Sequence, residues 1–214
     1  TLTTALYEAH ADSISLGTPV TAIEPAGDGY ELRTDAGTER VDEVVVTTPA
    51  ATSAELLEPV DSDLAETLRR FNYNPIAMVF LESDYDREGI GALVPSGGDL
   101  PISGSTWNAS FLDREGLFTC YVDPNSYPEM PESTDEELGT VAAEAFEELS
   151  GASATPIGVH RWDPGMPAYD GSWTAMDDLS TPEGIHFCTN FVGRAGIPGR
   201  IRSAKGIAGS ILGD

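Results

Sequence analysis

The clearest pattern in the chain lies in "STDEELGTVAAEAFEELSG". Leu138, Val141, Ala142, Ala145, Phe146 and Leu149 recur at three- and four-residue spacing, the period of one helix face. Ser133 and Thr134 each stand three residues before a glutamate, as in a capping box, and Gly151 marks the stop. "DSDLAETLRRF" predicts another helix, capped by Asp61 or Ser62, with Leu64, Leu68 and Phe71 on one face. Leu2, Leu6 and His10 predict a short helix near the start. Ile201, Ala204, Ala208 and Ile211 predict one near the end, with Pro198 suited to its first turn.

Elsewhere the period changes. Val20–Ile23, Tyr30–Thr34 and Thr38–Val41 read as a meander of three strands, turning at "GDG" and "DAG" because Asp and Gly tolerate positive φ. Val44, Val45 and Val46 form an unbroken apolar run, expected of a strand buried on both faces inside a parallel sheet. No obvious neighbour for it appears in the sequence. Asn74–Glu82 is a strong strand. Gly91–Val94, Ser103–Asn108, Leu117–Val122, Ile157–Trp162 and Ile185–Thr189 are shorter ones. Strands outnumber helices and mostly join through short turns. The expected class is α+β, a largely antiparallel sheet backed by helices.

Composition narrows the function classes. The 214 residues are 40% apolar, enough for a real core, and no stretch approaches the ~20 apolar residues of a membrane span. "TLTTALYEAH" lacks the basic start and apolar run of a signal peptide, so a cytoplasmic protein is expected, at most peripheral to a membrane. Acidic residues number 36 against 11 basic, and Lys205 is the only lysine. A net charge of −25 repels nucleic acid and anionic membranes. Two readings of that charge stand: a surface adapted to a high-salt cytoplasm, favoured by the near-absence of lysine, or an acidic face for a basic partner. Cys120 and Cys188 fall in predicted strands and read as free thiols. His10, His160 and His186 show no metal-ligand spacing.

Candidate chemistry is concentrated late in the chain. "NFVGRAGIPGRIRSAKGIAGSIL" places Gly193, Gly196 and Gly199 three apart between a strand and a helix, an arrangement that can receive an anionic group. The spacing is not G-x-G-x-x-G, and no strand follows to complete a βαβ unit. Arg194, Arg200, Arg202 and Lys205 crowd this helix start, where the macrodipole disfavours cations. Either they face an anionic or electron-rich group, or they pair with carboxylates. In "HRWDPGMPAYDGSW", Trp162, Tyr169 and Trp173 could wall a planar, apolar ligand or pack on the core. "GALVPSGGDLPISGSTWNASF" by itself reads only as sheet and turns. No nucleophile–base pair and no G-x-S-x-G elbow stands out, which suits chemistry carried by a bound cofactor.

Taken in order, these segments resemble the flavin-dependent amine oxidase and protoporphyrinogen oxidase superfamily, most specifically its protoporphyrinogen oxidase branch. "TLTTALYE", "TPVTAIEPAGDGYELRTDAG" with "VDEVVVTTPA", "DLAETLRRFNYNPIAMVFL", "GALVPSGGDLPISGSTWNASF", "RWDPGMPAY" and "FCTNFVGRAGIPGRIRSAKGIAGSIL" follow that family's order over nearly the whole chain. The resemblance implies segments of a discontinuous Rossmann-type FAD-binding domain at 1–58 and 181–214, with a substrate-binding portion at 59–180. It implies that the backbone of Val20 contacts adenine and that Thr48, Pro49 and Ala50 pass near the adenosine. Trp162 would sit by the isoalloxazine, and Asn190 would approach the ribityl-phosphate region. Gly196 would open the helix whose Ile197 amide faces the flavin O2. Thr189 stands where the family has glycine, and the family's N-terminal G-x-G-x-x-G is absent.

The resemblance therefore implies the C-terminal portion of a longer FAD-dependent oxidase, inactive alone and open to self-association through surfaces normally covered. Its substrate would be a small apolar molecule, a protoporphyrinogen-like tetrapyrrole oxidised by hydride transfer to flavin. The alternatives are an amine oxidase or carotenoid desaturase-like flavoenzyme, or a non-catalytic acidic β-rich interaction domain. No metal is expected.

Overall fold

The structure is a computed structural model that describes residues 1–192 and 196–213; Gly193 and Arg194, singled out above, lie outside the described residues. The fold is mixed α+β with two compact units. One comprises Thr1–Asn72 and the chain from Tyr169 onward, the other Tyr73–Ala168.

In the first unit, α1 (Leu2–His10) is capped by the Thr1 hydroxyl, which accepts from the Thr4 amide at 3.2 Å. Its predicted apolar residues Leu2 and Leu6 are exposed. β1 (Val20–Ala26), β2 (Gly29–Thr34) and β3 (Gly37–Val41) form the expected antiparallel meander. Its first turn is Gly27-Asp28, between the paired Ala26 and Gly29. Gly27 takes the positive φ, +65°, that a two-residue hairpin turn demands. β4 (Val44–Val46) finds a neighbour late in the chain, β10 (Ile185–Phe187), in parallel register with Val44 opposite Ile185 and Val46 opposite Phe187. Val44 and Val46 are buried but Val45 is 42% exposed, so burial on both faces is not met among the described residues.

An unpredicted helix follows β4. In α2 (Ala50–Leu57), Ala50, Ser53, Ala54 and Leu57 are buried at helical spacing. It packs on α3 (Ser62–Arg69), whose N-cap is Asp61; the Asp61 carboxylate accepts from the amides of Asp63 at 3.0 Å and Leu64 at 2.9 Å. Beyond α3, Phe71 meets Phe191 at 5.0 Å between ring centroids and the edge of Trp173 at 5.9 Å. The segment Gly171–Asp178 is a 3₁₀ helix. It is tied back by Arg70 to Asp178 at 2.5 Å and by the Asn72 amide to the Ser172 hydroxyl at 3.1 Å.

The second unit is built on β5 (Tyr73–Glu82), β6 (Gly91–Leu93), β7 (Gly104–Thr106), β8 (Leu117–Val122) and β9 (Thr155–Pro167). The sheet order is β6-β7-β8-β5-β9, every pairing antiparallel. A single helical turn, α4 (Asn108–Phe111), follows β7, and α5 (Asp135–Ser150) packs on the sheet. α5 carries the predicted capping box at Thr134 and Glu137 and ends at Gly151 with φ +78°. Leu138, Ala142, Ala145 and Phe146 of its stripe are buried, against Ala77, Val79, Leu81, Phe118 and Val122 of the sheet. The strand expected at Ile157–Trp162 runs on to Pro167, so all of "RWDPGMP" lies in β9. A bulge lies there between Asn74 and Ile76 of the partner strand. Burial pushes the Cys120 thiol up to about 11, so it is an unreactive core residue, whereas Cys188 follows β10 and is half-buried.

Among the described residues no helix is long and apolar enough to cross a membrane, and no cluster of His, Cys, Asp and Glu could hold a metal.

Candidate functional site

The parallel pair β4–β10 organises the first unit's candidate residues. Thr48 and Pro49 leave the carboxyl end of β4, and Asn190 leaves the carboxyl end of β10. The two strands run out together there, with the Cys188 amide donating to Val46 O at 2.9 Å. Carboxyl ends of parallel strands are where open α/β folds bind ligands, because loops diverge there and helix N-termini point at them. Pro49 caps α2, and the Ser53 hydroxyl, bonded to Thr48 O at 3.1 Å and Pro49 O at 3.0 Å, locks the turn. Thr189 is 1% exposed and packed inside, while Asn190 beside it is exposed. The bulk added in place of glycine is therefore directed into the fold. Val20 opens β1 and is 37% exposed.

The last helix, α6 (Ile197–Leu212), begins at Gly196, whose φ of +86° would strain any side chain. Among the described residues, a Cβ placed there would approach the Pro198 ring at 3.9 Å. Pro198 lies within the first turn, as its fixed φ favours. The first turn holds no acidic residue, and Ile197 is 60% exposed. Its free backbone N–H groups and dipole make this a place for negative charge. Arg200 donates from a guanidinium nitrogen to Val192 O at 2.5 Å, tying the loop to the helix. Arg202 and Lys205 make no ion pair among the described residues. The predicted apolar face of α6 does not pack inward: Ile201 is 48% exposed, and Gly199 is the buried residue.

Trp162 belongs to the second unit. On β5, Ala77, Val79 and Leu81 point to the α5 side, so Ile76, Met78 and Phe80 point to the other. The register places Trp162 opposite Ile76, His160 opposite Met78, and Tyr121 of β8 opposite Met78 on its other side. Thr106 of β7 bonds the Tyr121 hydroxyl at 2.9 Å, and Leu93 of β6 is exposed. This second face carries Ile76, Met78, Phe80 and Tyr121 beside Thr106 and Thr119, the last buried and bonded to Asn108 of α4 at 2.6 Å, and Trp162 and His160 are exposed on it. The Trp162 ring meets the His160 ring edge-on at 4.6 Å. Arg161, between them in sequence, turns to the α5 side, where it pairs with Asp135 at 2.8 Å and donates to Ser133 O at 2.6 Å. Among the described strand residues that the register places on this face there is no lysine or arginine; Glu82 ends β5, and Asp163 follows Trp162 where β9 bulges.

The three aromatics read together in sequence thus serve different clusters. Trp162 packs on His160. Tyr169 and Trp173 pack on one another at 4.8 Å, and Trp173 on Phe71. The open sheet face was missed in sequence reading, because Ile76–Leu81 is apolar throughout and only the register shows which residues face α5.

The family model for flavin containing amine oxidoreductases matches residues 1–212. A protein of Exiguobacterium sp. 255-15, provisionally named a protoporphyrinogen oxidase, is 24% identical with a TM-score of 0.77; the match covers 97% of this chain and 50% of that one. Putrescine oxidase bound to putrescine is 14% identical with a TM-score of 0.74, covering 100% of this chain and 52% of its own. A fatty acid isomerase of P. acnes that produces CLA is 14% identical with a TM-score of 0.65, covering 89% and 47%. At these identities the likeness shows the fold, and the chain spans about half the length of the solved relatives it matches. Because the family match runs through both units, the chain belongs to the flavin containing amine oxidoreductases.

Proposed function

We propose that the chain serves in the FAD-dependent oxidation of an apolar substrate of the tetrapyrrole class, protoporphyrinogen-like. The first unit contributes Rossmann-type segments to the flavin site and the second the substrate face. The observation that carries the substrate reading is the open sheet face. In a chain with 36 acidic residues, the strip made of Ile76, Met78, Phe80, Tyr121, His160 and Trp162 has carboxylates only at its margins, Glu82 at the end of β5 and Asp163 in the β9 bulge. A cationic amine would be held by carboxylates or by a closed aromatic cage. Trp162 is engaged with His160, and Tyr169 with Trp173, which favours the tetrapyrrole over the amine.

The residues present fit a flavin on this chain's side of its site. Gly196 holds a φ of +86° at the start of α6, and Ile197 presents a first-turn amide with no acidic neighbour in that turn. The chemistry a bound flavin supplies is acceptance of a hydride. The Ile197 N–H and the positive end of α6 would stabilise the negative charge that builds up near it. Thr48, Pro49 and Asn190 would line the nucleotide portion, and Val20 would meet the adenine through its backbone. Trp162 would present its exposed ring beside the isoalloxazine.

Anaerobic bleaching of the flavin-loaded protein tests the substrate. A porphyrinogen is expected to bleach the flavin band and a polyamine to leave it; the reverse result would overturn the tetrapyrrole reading. Ile197→Pro, read beside Ile197→Ala to account for the lost side chain, tests the helix contact, since proline suits a first-turn position and removes the N–H. Flavin affinity measured by fluorescence is expected to fall by about tenfold or more, the effect of losing a hydrogen bond to a charged group. Unchanged affinity and an unchanged reduction potential would remove Ile197 from the site.

A further inference from the structure

β10 is three residues long, and β4 is its one strand partner among the described residues. So short a pair is marginal by itself. Its place is set at the amino end of β10, where the meander meets it. Tyr30 of β2 is 7% exposed, and its hydroxyl donates to Glu183 O at 2.5 Å, across 153 residues of chain. Burial, with the Glu43 and Glu183 carboxylates nearby, pushes the phenol up, so it keeps its proton and donates. Gly184 follows with a φ of +80°, and a Cβ there would meet both Asp42 O and the Tyr30 ring at 3.0 Å. The chain thus passes between that ring and the β3–β4 corner with little room for a side chain. Gly184 O accepts from the Val44 amide at 2.8 Å, and His186 Nε2 bonds the Glu43 carboxylate at 2.7 Å.

We propose that Tyr30 is a positioning residue for FAD, bracing the meander against the amino end of β10 so that both meet one dinucleotide at a fixed spacing. This inference rests on the flavin reading above. In that reading Val20, at the start of β1, meets the adenine, while Asn190, three residues past the end of β10, lies toward the ribityl-phosphate region. These contacts hang on two different sheets, β1-β2-β3 and β10-β4, with no strand pairing between them among the described residues. Asp42 and Glu43 join the sheets along the chain, and the Tyr30–Glu183 bond closes the corner from the β10 side. Two contacts to one ligand reinforce each other only while their spacing is held; a loose corner lowers the effective concentration of the second. Tyr30 touches neither end of the ligand and acts through Glu183. FMN, which lacks the adenosine half, gains nothing from the brace.

FAD and FMN, titrated separately into the protein and followed by flavin fluorescence, test this. The wild type is expected to prefer FAD. Tyr30→Phe keeps the ring over Gly184 and removes the bond. It is expected to lose about three- to tenfold in FAD affinity, the scale of one hydrogen bond, with FMN affinity unchanged. Glu43→Ala, which cuts the His186 tie at the same corner, is expected to shift the preference the same way, and carries the test where Tyr30→Phe does not fold. A merely structural role would weaken both flavins alike, or lower the melting temperature and leave both affinities as they were. Either result overturns the assignment. A wild type that binds FAD no better than FMN overturns the role of Tyr30 and leaves the flavin reading standing. Failure of the wild type to bind either flavin overturns the two together.

Discussion

Replacing Phe146 by alanine is expected to cost about 3–5 kcal/mol, the range for truncating a buried aromatic. Phe146 is fully buried on the inner face of α5. Its ring lies 4.9 Å from Phe118 of β8 and meets Tyr85 nearly at a right angle, centroids 5.9 Å apart. Tyr85 in turn packs edge-on against Trp107 at 5.5 Å. The lost area is therefore not at a margin where neighbours could relax into the gap. It joins the helix to the sheet and to the aromatic cluster beside it, so much of the cavity would persist. For a chain of this size the loss corresponds to a melting temperature lower by about 6–20 °C. Val141→Ala serves as the contrast, since Val141 borders the same stripe but is only half-buried; about 1 kcal/mol or less is expected there. Denaturant unfolding of the two variants should separate them clearly. Equal midpoints would mean that the α5 stripe is not the core of the second unit.

That stripe was legible in the sequence because several independent signals agreed on it: Thr134 with Glu137, large apolar residues at helical spacing, and Gly151. α2 lacked such agreement. Ala50, Ser53 and Ala54 are small, so their stripe carries little hydrophobic contrast, and Thr47, Thr48 and Pro49 before it read as turn. The β4–β10 pairing was invisible for another reason. Val44 and Ile185 are each recognisable as strand residues, but no local pattern encodes a parallel partner across most of the chain. β9 was cut short because Asp163, Pro164 and Gly165 signal a turn. A strand at the edge of a sheet tolerates proline, since the missing N–H costs no bond to a neighbour on that side. In α6 the period was read correctly, but periodicity says which residues share a face and not what covers it; Ile201 remains exposed.

The candidate site divides along the same line. Gly196 and the helix start after it carry their own local signature, and the structure gives it a physical basis in a φ of +86°. The open sheet face has no local signature. Ile76, Met78 and Phe80 alternate with Ala77, Val79 and Leu81, all apolar, so the strand itself does not declare an inside. Only the pairing with His160, Trp162 and Tyr121 turns three ordinary core-type residues into a surface. His160 was considered in sequence only as a metal ligand, a question its spacing answers negatively.

Lowering the salt from about 1 M to about 0.01 M is expected to lower the melting temperature by about 10 °C, as the screening length rises from about 3 to about 30 Å. Two effects oppose each other. Dilution strengthens the attractive pairs, but those described are few and largely exposed: Arg33–Glu24, Arg69–Glu58, Arg70–Asp178 and Arg161–Asp135. Exposed pairs contribute at most about 1 kcal/mol each. Dilution also frees repulsion among 36 acidic residues that only 11 basic ones can offset. α5 shows the imbalance locally. It carries Asp135, Glu136, Glu137, Glu144, Glu147 and Glu148 with no basic residue. Glu144 stands three and four positions before Glu147 and Glu148, like-charge spacings that each disfavour the helix. Both of the latter lie near the helix C-terminus, where the dipole also disfavours anions. Repulsion therefore wins at low salt, and circular dichroism melts across a potassium chloride series should show it, with sucrose as the non-ionic control. A melting temperature independent of salt would sink the habitat reading of the charge. If a basic polypeptide at stoichiometric amounts then raised the melting temperature where salt did not, the acidic surface would be an interface for a partner.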